Sequence, residues 1–271
     1  MSYINNWDNQ VTKHHKQSES KIVSKYKEDF WEDKVEGFIP PELPDYNDPT
    51  LSFLQTHLTP KSSILDLGGG AGRLSIPLAQ KNYLITIVDS SKAMIHAAQQ
   101  HSKYLNLKNV STSHSEWQNF EDKKFDHIIC SHVLYGISNI KEFILKIQSS
   151  INKSAIIIMY DKSPQSHLEE IWELYYSEPR INLPGMSDLK KVINQLNIRY
   201  QFFNIDENEL TVYENFESLL NSVSSQIFVS HSEQNLIKLS NILNNYMNHN
   251  NDNFSFPLQS KRKLQAIILE R

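Results

Sequence analysis

The sequence predicts a doubly wound α/β domain with added helices, and three observations carry that prediction. Short apolar runs, SILDL, LITIV, DHIIC and AIIIMY, alternate with stretches of helical spacing. Runs this continuous suit strands buried on both faces, which is the condition of a parallel sheet covered by helices. Of the seven glycines, four are Gly68, Gly69, Gly70 and Gly72, placed between the first run and the helical pattern that follows. Finally, a helix-rich stretch precedes a last apolar run, KLQAIIL.

Residues 1–36 mix Tyr3, Trp7, Val11, Ile22, Val23, Tyr26, Phe30 and Trp31 among charges, with the spacing of one or two amphipathic helices. FIPPELPDYNDP, residues 38–49, has four prolines and reads as a linker. A short helix is expected over 51–58. Strands follow at 62–67, 84–88, 110–113, 125–130 and 154–160, with helices at 72–80, 91–103 and 139–150 between them. Right-handed crossovers turn this alternation into a doubly wound sheet. Beyond Tyr160, helices are expected at 167–176 and at 187–196, the latter capped by Ser187 with Asp188 following. A strand at 198–205, helices at 214–224 and 232–249, and a strand at 263–269 complete the chain. The sum is a seven-stranded, mostly parallel, Rossmann-like sheet with an added helical cap. Its expected divisions are an N-terminal cap segment and linker (1–49), the core (50–160), and the rest of the sheet with cap insertions (161–271).

Composition narrows the function classes. At 271 residues the chain can bury a substantial core, and 39% of its residues are hydrophobic. The net charge is −4 and no basic tract appears, so nucleic acid is not the default partner. No basic segment followed by an apolar run opens the chain, and no apolar run reaches the roughly 20 residues of a membrane helix. Cys130 is the single cysteine, which leaves no intramolecular disulfide and too few thiols for a structural zinc site. A soluble cytoplasmic protein is expected, with a homodimer left open. The scattered histidines show no ligand spacing, and His14 and His15, adjacent on a helix, point to different faces, so no metal is expected.

The glycine loop follows a strand and opens a helix, the context of a nucleotide-type site. A dinucleotide fold places a third glycine against the helix and a pyrophosphate on its N-terminus. Here Arg73 occupies that third position, and the pattern is Asp66-x-Gly68-x-Gly70-x-Gly72. Asp66 would repel a pyrophosphate and suits a cationic ligand. Asp89, ending the second strand, sits where a carboxylate can accept both hydroxyls of a ribose. A ribose, no phosphate and a positive charge describe S-adenosylmethionine. The alternative is a glycine-rich turn with no ligand.

ILDLGGGAG, the IVD ending the second strand, and FDHIICSHVLYGI together resemble the successive motifs of class I S-adenosylmethionine-dependent methyltransferases over residues 50–160. The helix-rich insertion before the final strand is similar to the small-molecule branch of that superfamily. The resemblance implies that Asp66 orients the cofactor's amino group and that Gly68, Gly69 and Gly70 line its methionine part. It implies that Asp89 binds the ribose and that Ser90 and Met94 flank the adenine, with Ser131 also on the cofactor side. Relatives carry an acid for the adenine amino group just after the third strand. In SHSEWQNF that place falls to His114, so Ser115, Glu116 or a backbone carbonyl would substitute. Trp117 would lie beside the ring or serve as core.

Methyl transfer is an in-line displacement, helped by holding nucleophile and methyl in near-attack geometry and excluding water. A base is needed only when the nucleophile must lose a proton. Candidates lie past the fourth and fifth strands. His132 is a base or a packing residue, Tyr135 a partner for the sulfonium or a pocket wall, and Asp161 a substrate contact or a turn cap. Arg180 is either a contact for an acidic substrate or a solvated arginine, while Trp172, Tyr175 and Tyr176 supply cap aromatics. The expected function is a methyltransferase acting on a small-molecule oxygen, nitrogen or carbon. Protein or tRNA methylation, and a non-catalytic subunit that binds the cofactor, are the alternatives.

Overall fold

The computed structural model describes residues 2–22, 29, 31–206, 212–246, 248–250, 253–255 and 262–271. Its strands are β1 (Ser63–Leu67), β2 (Leu84–Asp89), β3 (Val110–His114), β4 (Phe125–Ser131), β5 (Ile151–Tyr160), β6 (Tyr200–Ile205), β7 (Val212–Tyr213), β8 (Asn248–Asn250), β9 (Asn253–Ser255) and β10 (Leu264–Glu270). Seven form one sheet in the order β3-β2-β1-β4-β5-β10-β6. β1 to β5 pair in parallel, and β10 runs antiparallel to both β5 and β6, with Leu264 opposite Tyr160. The strand order reverses between β1 and β4, and a ligand crevice is expected outside the carboxyl ends of strands at such a point.

The helices are α1 (Tyr3–Glu19), α2 (Pro49–His57), α3 (Ser75–Gln80), α4 (Lys92–Tyr104), α5 (Ile140–Ser150), α6 (Glu169–Tyr176), α7 (Met186–Gln195), α8 (Phe216–Gln226) and α9 (Glu233–Leu243). Alternate residues of the central strands feed opposite layers. Leu65, Ile128, Cys130 and Ile157 join one buried cluster with residues of α1, α5 and α7. Ile64, Ile129, Ile156 and Ile158 join the other with residues of α2 and α4. The apolar runs are continuous because both faces are covered.

A third cluster is separate. Leu168, Ile171, Trp172 and Tyr175 pack with Leu219, Val223, Leu239 and Leu243, so α6, α8 and α9 have a core of their own. This is the expected helical cap, to which β7, β9 and β8 add a small antiparallel sheet that the sequence reading did not anticipate. The last turns of the N-terminal helix meet this cap through Arg180, which donates to His14, Gln17 and Ser18. Nearer its start, Trp7 and Val11 of α1 are buried in the main core, and the Gln195 side-chain oxygen of α7 accepts the Tyr3 and Ile4 amides at 2.6 and 3.2 Å. Of the other N-terminal residues singled out above, Val23, Tyr26 and Phe30 lie outside the described residues.

Some boundaries shift for identifiable reasons. The helix expected from residue 72 begins at Ser75, because Gly72 is still in a left-handed turn with φ 89°. The fifth strand begins at Ile151, directly after α5 ends. Ser187 does not cap α7. Gly185 does, its amide donating to the Asp188 carboxylate at 3.3 Å, and any Cβ on Gly185 would collide with the Asp161 carbonyl. The glycine is therefore required by the close approach of the α7 start to the end of β5.

Candidate functional site

The glycine turn is tied to the end of β2 from its first residue. The Gly68 amide donates to the Val88 carbonyl at 2.7 Å, and the Gly69 amide reaches the same oxygen at 3.3 Å. Gly68 and Gly70 are left-handed, at φ 67° and 55°. A Cβ on Gly68 would run into Val133, and one on Gly69 would lie 2.5 Å from the Asp66 carboxylate. Gly70 differs: a Cβ there would meet only the Met94 sulfur, at 3.6 Å. The first two glycines let protein approach protein, while the third leaves a cradle open beside Met94.

Two carboxylates belong to this turn, Asp66 packed against Gly69 and Asp89 bound to the Gly70 amide. Asp66 is 2% exposed, and burial together with the negative charge of Asp89 pushes its pKa up to about 6, with Arg73 opposing. Asp89 accepts the Gly70 amide on one oxygen at 2.9 Å and the Ser91 amide on the other at 2.8 Å. Burial raises its pKa as well, against those two hydrogen bonds. Each oxygen keeps a further lone pair for an incoming hydroxyl. Ser90 is exposed at the turn beyond, its carbonyl accepting from His114 Nε2 at 3.0 Å, and Met94 is buried with Ala71 and Ala97.

The segment expected at the adenine edge is less well disposed. The Ser115 amide donates to the Asp89 carbonyl, but its hydroxyl donates to the Glu116 carbonyl at 2.9 Å. The exposed Glu116 carboxylate accepts from the Gln118 side chain at 2.9 Å. Trp117 belongs to the core: it is 4% exposed, stacks with Phe120 and Phe143, and directs its indole N–H toward the Phe143 carbonyl.

The loop after β4 lies across the turn, with Val133 seated on Gly68. His132 is left-handed, φ 60°, and its amide donates to the Ile158 carbonyl at 2.9 Å. The Tyr135 hydroxyl accepts the Tyr160 amide at 2.6 Å and lies 3.2 Å from His132 Nδ1. Nδ1 is the one acceptor within reach of that hydroxyl proton among the described residues, so the assignment that satisfies both groups has Tyr135 donating to Nδ1 and the imidazole proton on Nε2. Burial and the nearby Arg73 and Arg262 charges lower the His132 pKa to about 4, and burial raises that of Tyr135. His132 is thus a neutral donor at Nε2. That geometry disfavours the base role considered for it above. Ser131 closes β4 with its hydroxyl buried and free of hydrogen bonds, and Cys130 is buried with its thiol pKa raised.

Asp161 takes the turn-capping role. One carboxylate oxygen accepts the Lys162 and Lys263 amides, both at 2.9 Å, and its own amide donates to the Lys263 carbonyl. Arg180 is neither solvated nor aimed at a substrate. It is 8% exposed, stacks on Trp172 at 3.8 Å, and donates to Gln17, His14 and Ser18 at 3.0, 3.1 and 2.9 Å. It therefore clasps α1 to the cap. At its other end α1 meets the reaction loop, where the Trp7 indole donates to the Ile137 carbonyl at 2.8 Å.

Two residues near the site were not anticipated. Asp29 accepts the Ser91 hydroxyl at 2.8 Å and the Ala93 amide at 3.1 Å, at the start of α4 beside Asp89. Arg262 stacks on the Tyr160 ring at 4.5 Å. Both are long-range contacts with no local pattern to announce them. Among the described residues no group of three or more His, Cys, Asp or Glu is placed to hold a metal ion, and no helix is long and apolar enough to cross a membrane.

The chain is similar to known proteins in sequence and in fold. A family model described as a methyltransferase domain matches residues 58–186. A ubiquinone biosynthesis O-methyltransferase of Rickettsia akari is 32% identical over 104 residues, which cover 38% of this chain and 41% of that protein. The Rickettsia typhi protein of the same description is 33% identical over 101 residues, 36% of this chain and 40% of its own. The matched part thus spans about two fifths of those relatives' length. Among solved structures, the YcgJ protein of Bacillus subtilis superposes with a TM-score of 0.54 at 13% identity, covering 84% of this chain and 99% of its own. Coclaurine N-methyltransferase, solved with N-methylheliamine and S-adenosylhomocysteine, gives 0.53 at 14% identity over 97% of this chain and 87% of its own. At these identities the structures speak to the fold.

Proposed function

We propose, for a chain whose residues 58–186 match a family model described as a methyltransferase domain, that the protein transfers a methyl group from S-adenosylmethionine to a small-molecule nucleophile. The observation that carries this reading is the glycine turn with a carboxylate on either side, Asp89 bound to the Gly70 amide beside the open position and Asp66 buried against Gly69. A buried carboxylate with a raised pKa is a site short of positive charge, and a ligand ammonium supplies it. Asp89, fixed by two backbone amides, is suited to accept ribose hydroxyls. Neither group suits a pyrophosphate.

In this reading Asp66 holds the amino end of the cofactor, with Gly68, Gly69 and Gly70 lining that part. Asp89 holds the ribose, and Ser90 and Met94 border the base. Ser115 and Ser131 lie on the rim. Glu116 and Trp117 drop out of the cofactor set, one turned to solvent and the other committed to the core. The bound cofactor supplies an activated methyl group. The protein's part is to orient it, exclude water and place the acceptor. His132 contributes a hydrogen bond from Nε2, Tyr135 fixes that tautomer, and Asp161 holds the end of β5. The same loop with its aromatic neighbours supports a small acceptor, and a single buried cysteine accords with work in the cytoplasm.

The test is ligand-induced stabilisation. S-adenosylhomocysteine at about a millimolar is expected to raise the melting temperature by several degrees. An unchanged melting temperature would overturn the reading.

A further inference from the structure

Past the end of β5 stands a cation, Arg262, that no acid neutralises among the described residues. Arg262 lies just before β10, whose first residue, Leu264, pairs with Tyr160 at the end of β5. That position is on the same edge of the sheet as the glycine turn and the loop after β4. The guanidinium stacks on the Tyr160 ring at 4.5 Å, and the Tyr160 ring is 5.0 Å from the ring of His132. A ladder of planar groups thus runs from Arg262 to the imidazole that borders the cofactor cradle.

The hydrogen bonds of Arg262 are incomplete in a specific way. Nη1 donates to the Pro164 carbonyl at 2.6 Å. Nε is buried and has no hydrogen-bond acceptor among the described residues. Among the described residues no carboxylate lies within ion-pairing distance of this side chain, and Asp161 is engaged with backbone amides instead. What remains is the Nε–Nη2 edge, two parallel N–H donors with the spacing of the two oxygens of a carboxylate. An orphaned buried donor calls for a partner from outside the chain. The charge is felt locally: it helps to lower the pKa of His132 and of His167, so both imidazoles stay neutral and add no competing cation.

We infer that the acceptor substrate is an organic acid with an aromatic or otherwise planar body, whose carboxylate is forked by the Nε–Nη2 edge of Arg262 while its body lies along Tyr160 and His132. A carboxylate held through both oxygens by a guanidinium is a weakened nucleophile, so this group anchors the substrate and a different atom accepts the methyl. The inference rests on the methyltransferase reading only for the word acceptor; the anion site itself stands on Arg262.

The test is a binding titration of the intact chain by calorimetry, with and without saturating S-adenosylhomocysteine. The probes are benzoate, cinnamate and 3-phenylpropionate, each beside its uncharged amide. At least one carboxylate is expected to bind at least about tenfold more tightly than its amide. Arg262→Gln should remove that preference, Arg262→Lys should keep part of it, and Arg199→Gln, an exposed charge control, should leave it unchanged. S-adenosylhomocysteine binding by the Arg262 variants serves as the check that they fold. Equal binding of acids and amides, or a preference that survives Arg262→Gln, would overturn the inference. A protein that selects carboxylates through Arg262 yet ignores S-adenosylhomocysteine would instead sink the cofactor reading and leave the anion site standing.

Discussion

The Tyr135 hydroxyl stands 3.2 Å from His132 Nδ1, and the Tyr160 amide, 2.6 Å away, holds it there. A single phenol thereby ties the loop after β4 to the end of β5 and decides which imidazole nitrogen carries the proton. Because His132 has its pKa lowered to about 4, nitrogen NMR should show a neutral ring with the proton on Nε2 down to about pH 5. A rate profile should accordingly lack an inflection from this residue near pH 6.5. Tyr135→Phe leaves the Tyr160 amide without its partner and His132 without its donor. The expected cost is about 1–3 kcal/mol of stability, read by denaturant unfolding, with a mixed tautomer at His132. A variant as stable as the parent, with the same tautomer, would mean the phenol does not set either property.

Asp66 opposes stability to binding. Its folded pKa of about 6 lies above the ordinary value of 3.8. The folded protein therefore binds a proton more readily than the unfolded chain in that interval. The charged form costs stability at neutral pH, and the cost is relieved as pH falls from about 6 toward 3.8. Asp66→Asn removes the charge and should leave the ligand-free protein at least as stable at pH 7.5. The same variant should bind S-adenosylhomocysteine at least about tenfold more weakly. In the parent, affinity should decline as pH drops below about 6, since the cation loses its counter-charge. Loss of both stability and binding in Asp66→Asn would point to a purely structural carboxylate.

Gly68 and Val133 should behave as a coupled pair. Gly68→Ala brings a Cβ into Val133 Cγ2 at a residue with φ 67°, so collision and backbone strain act together. Val133→Ala removes the colliding methyl groups but not the strain. The double variant should recover part of the loss, leaving a residual penalty of about 1 kcal/mol from the left-handed conformation. Simple additivity of the two unfolding free energies would show that the loop does not rest on the turn.

Much of the fold was legible because each central strand is an unbroken apolar run and each helix between them has one apolar face. The α/β class follows from that alternation, whereas the strand order β3-β2-β1-β4-β5-β10-β6 is seen only in the structure, since right-handed crossovers allow several orders. Helix starts were less legible. Ser187 looks like a cap, but the close approach of Gly185 to Asp161 fixes the start of α7 earlier, and that contact spans more than twenty residues. The proposed cofactor side is marked in the sequence because Asp66, the glycines and Asp89 lie at fixed offsets from strand ends. The acceptor side could not. Neither Arg180 nor Arg262 sits in a sequence pattern that marks it, and only the fold buries the first against Trp172 and stacks the second on Tyr160. Similarly, the sequence leaves His132 as either a base or a packing residue, and only the fold shows Tyr135 facing its Nδ1.

The central claim is that Asp66 and Asp89 bind a cationic nucleoside and not a dinucleotide, and calorimetric titration with S-adenosylhomocysteine and with NAD, on the parent and on Asp89→Ala, tests it most directly. The account predicts a dissociation constant below about 100 μM for S-adenosylhomocysteine, no heat with NAD, and at least about a tenfold loss in Asp89→Ala. Binding of NAD, or no binding of S-adenosylhomocysteine at about a millimolar, would contradict it.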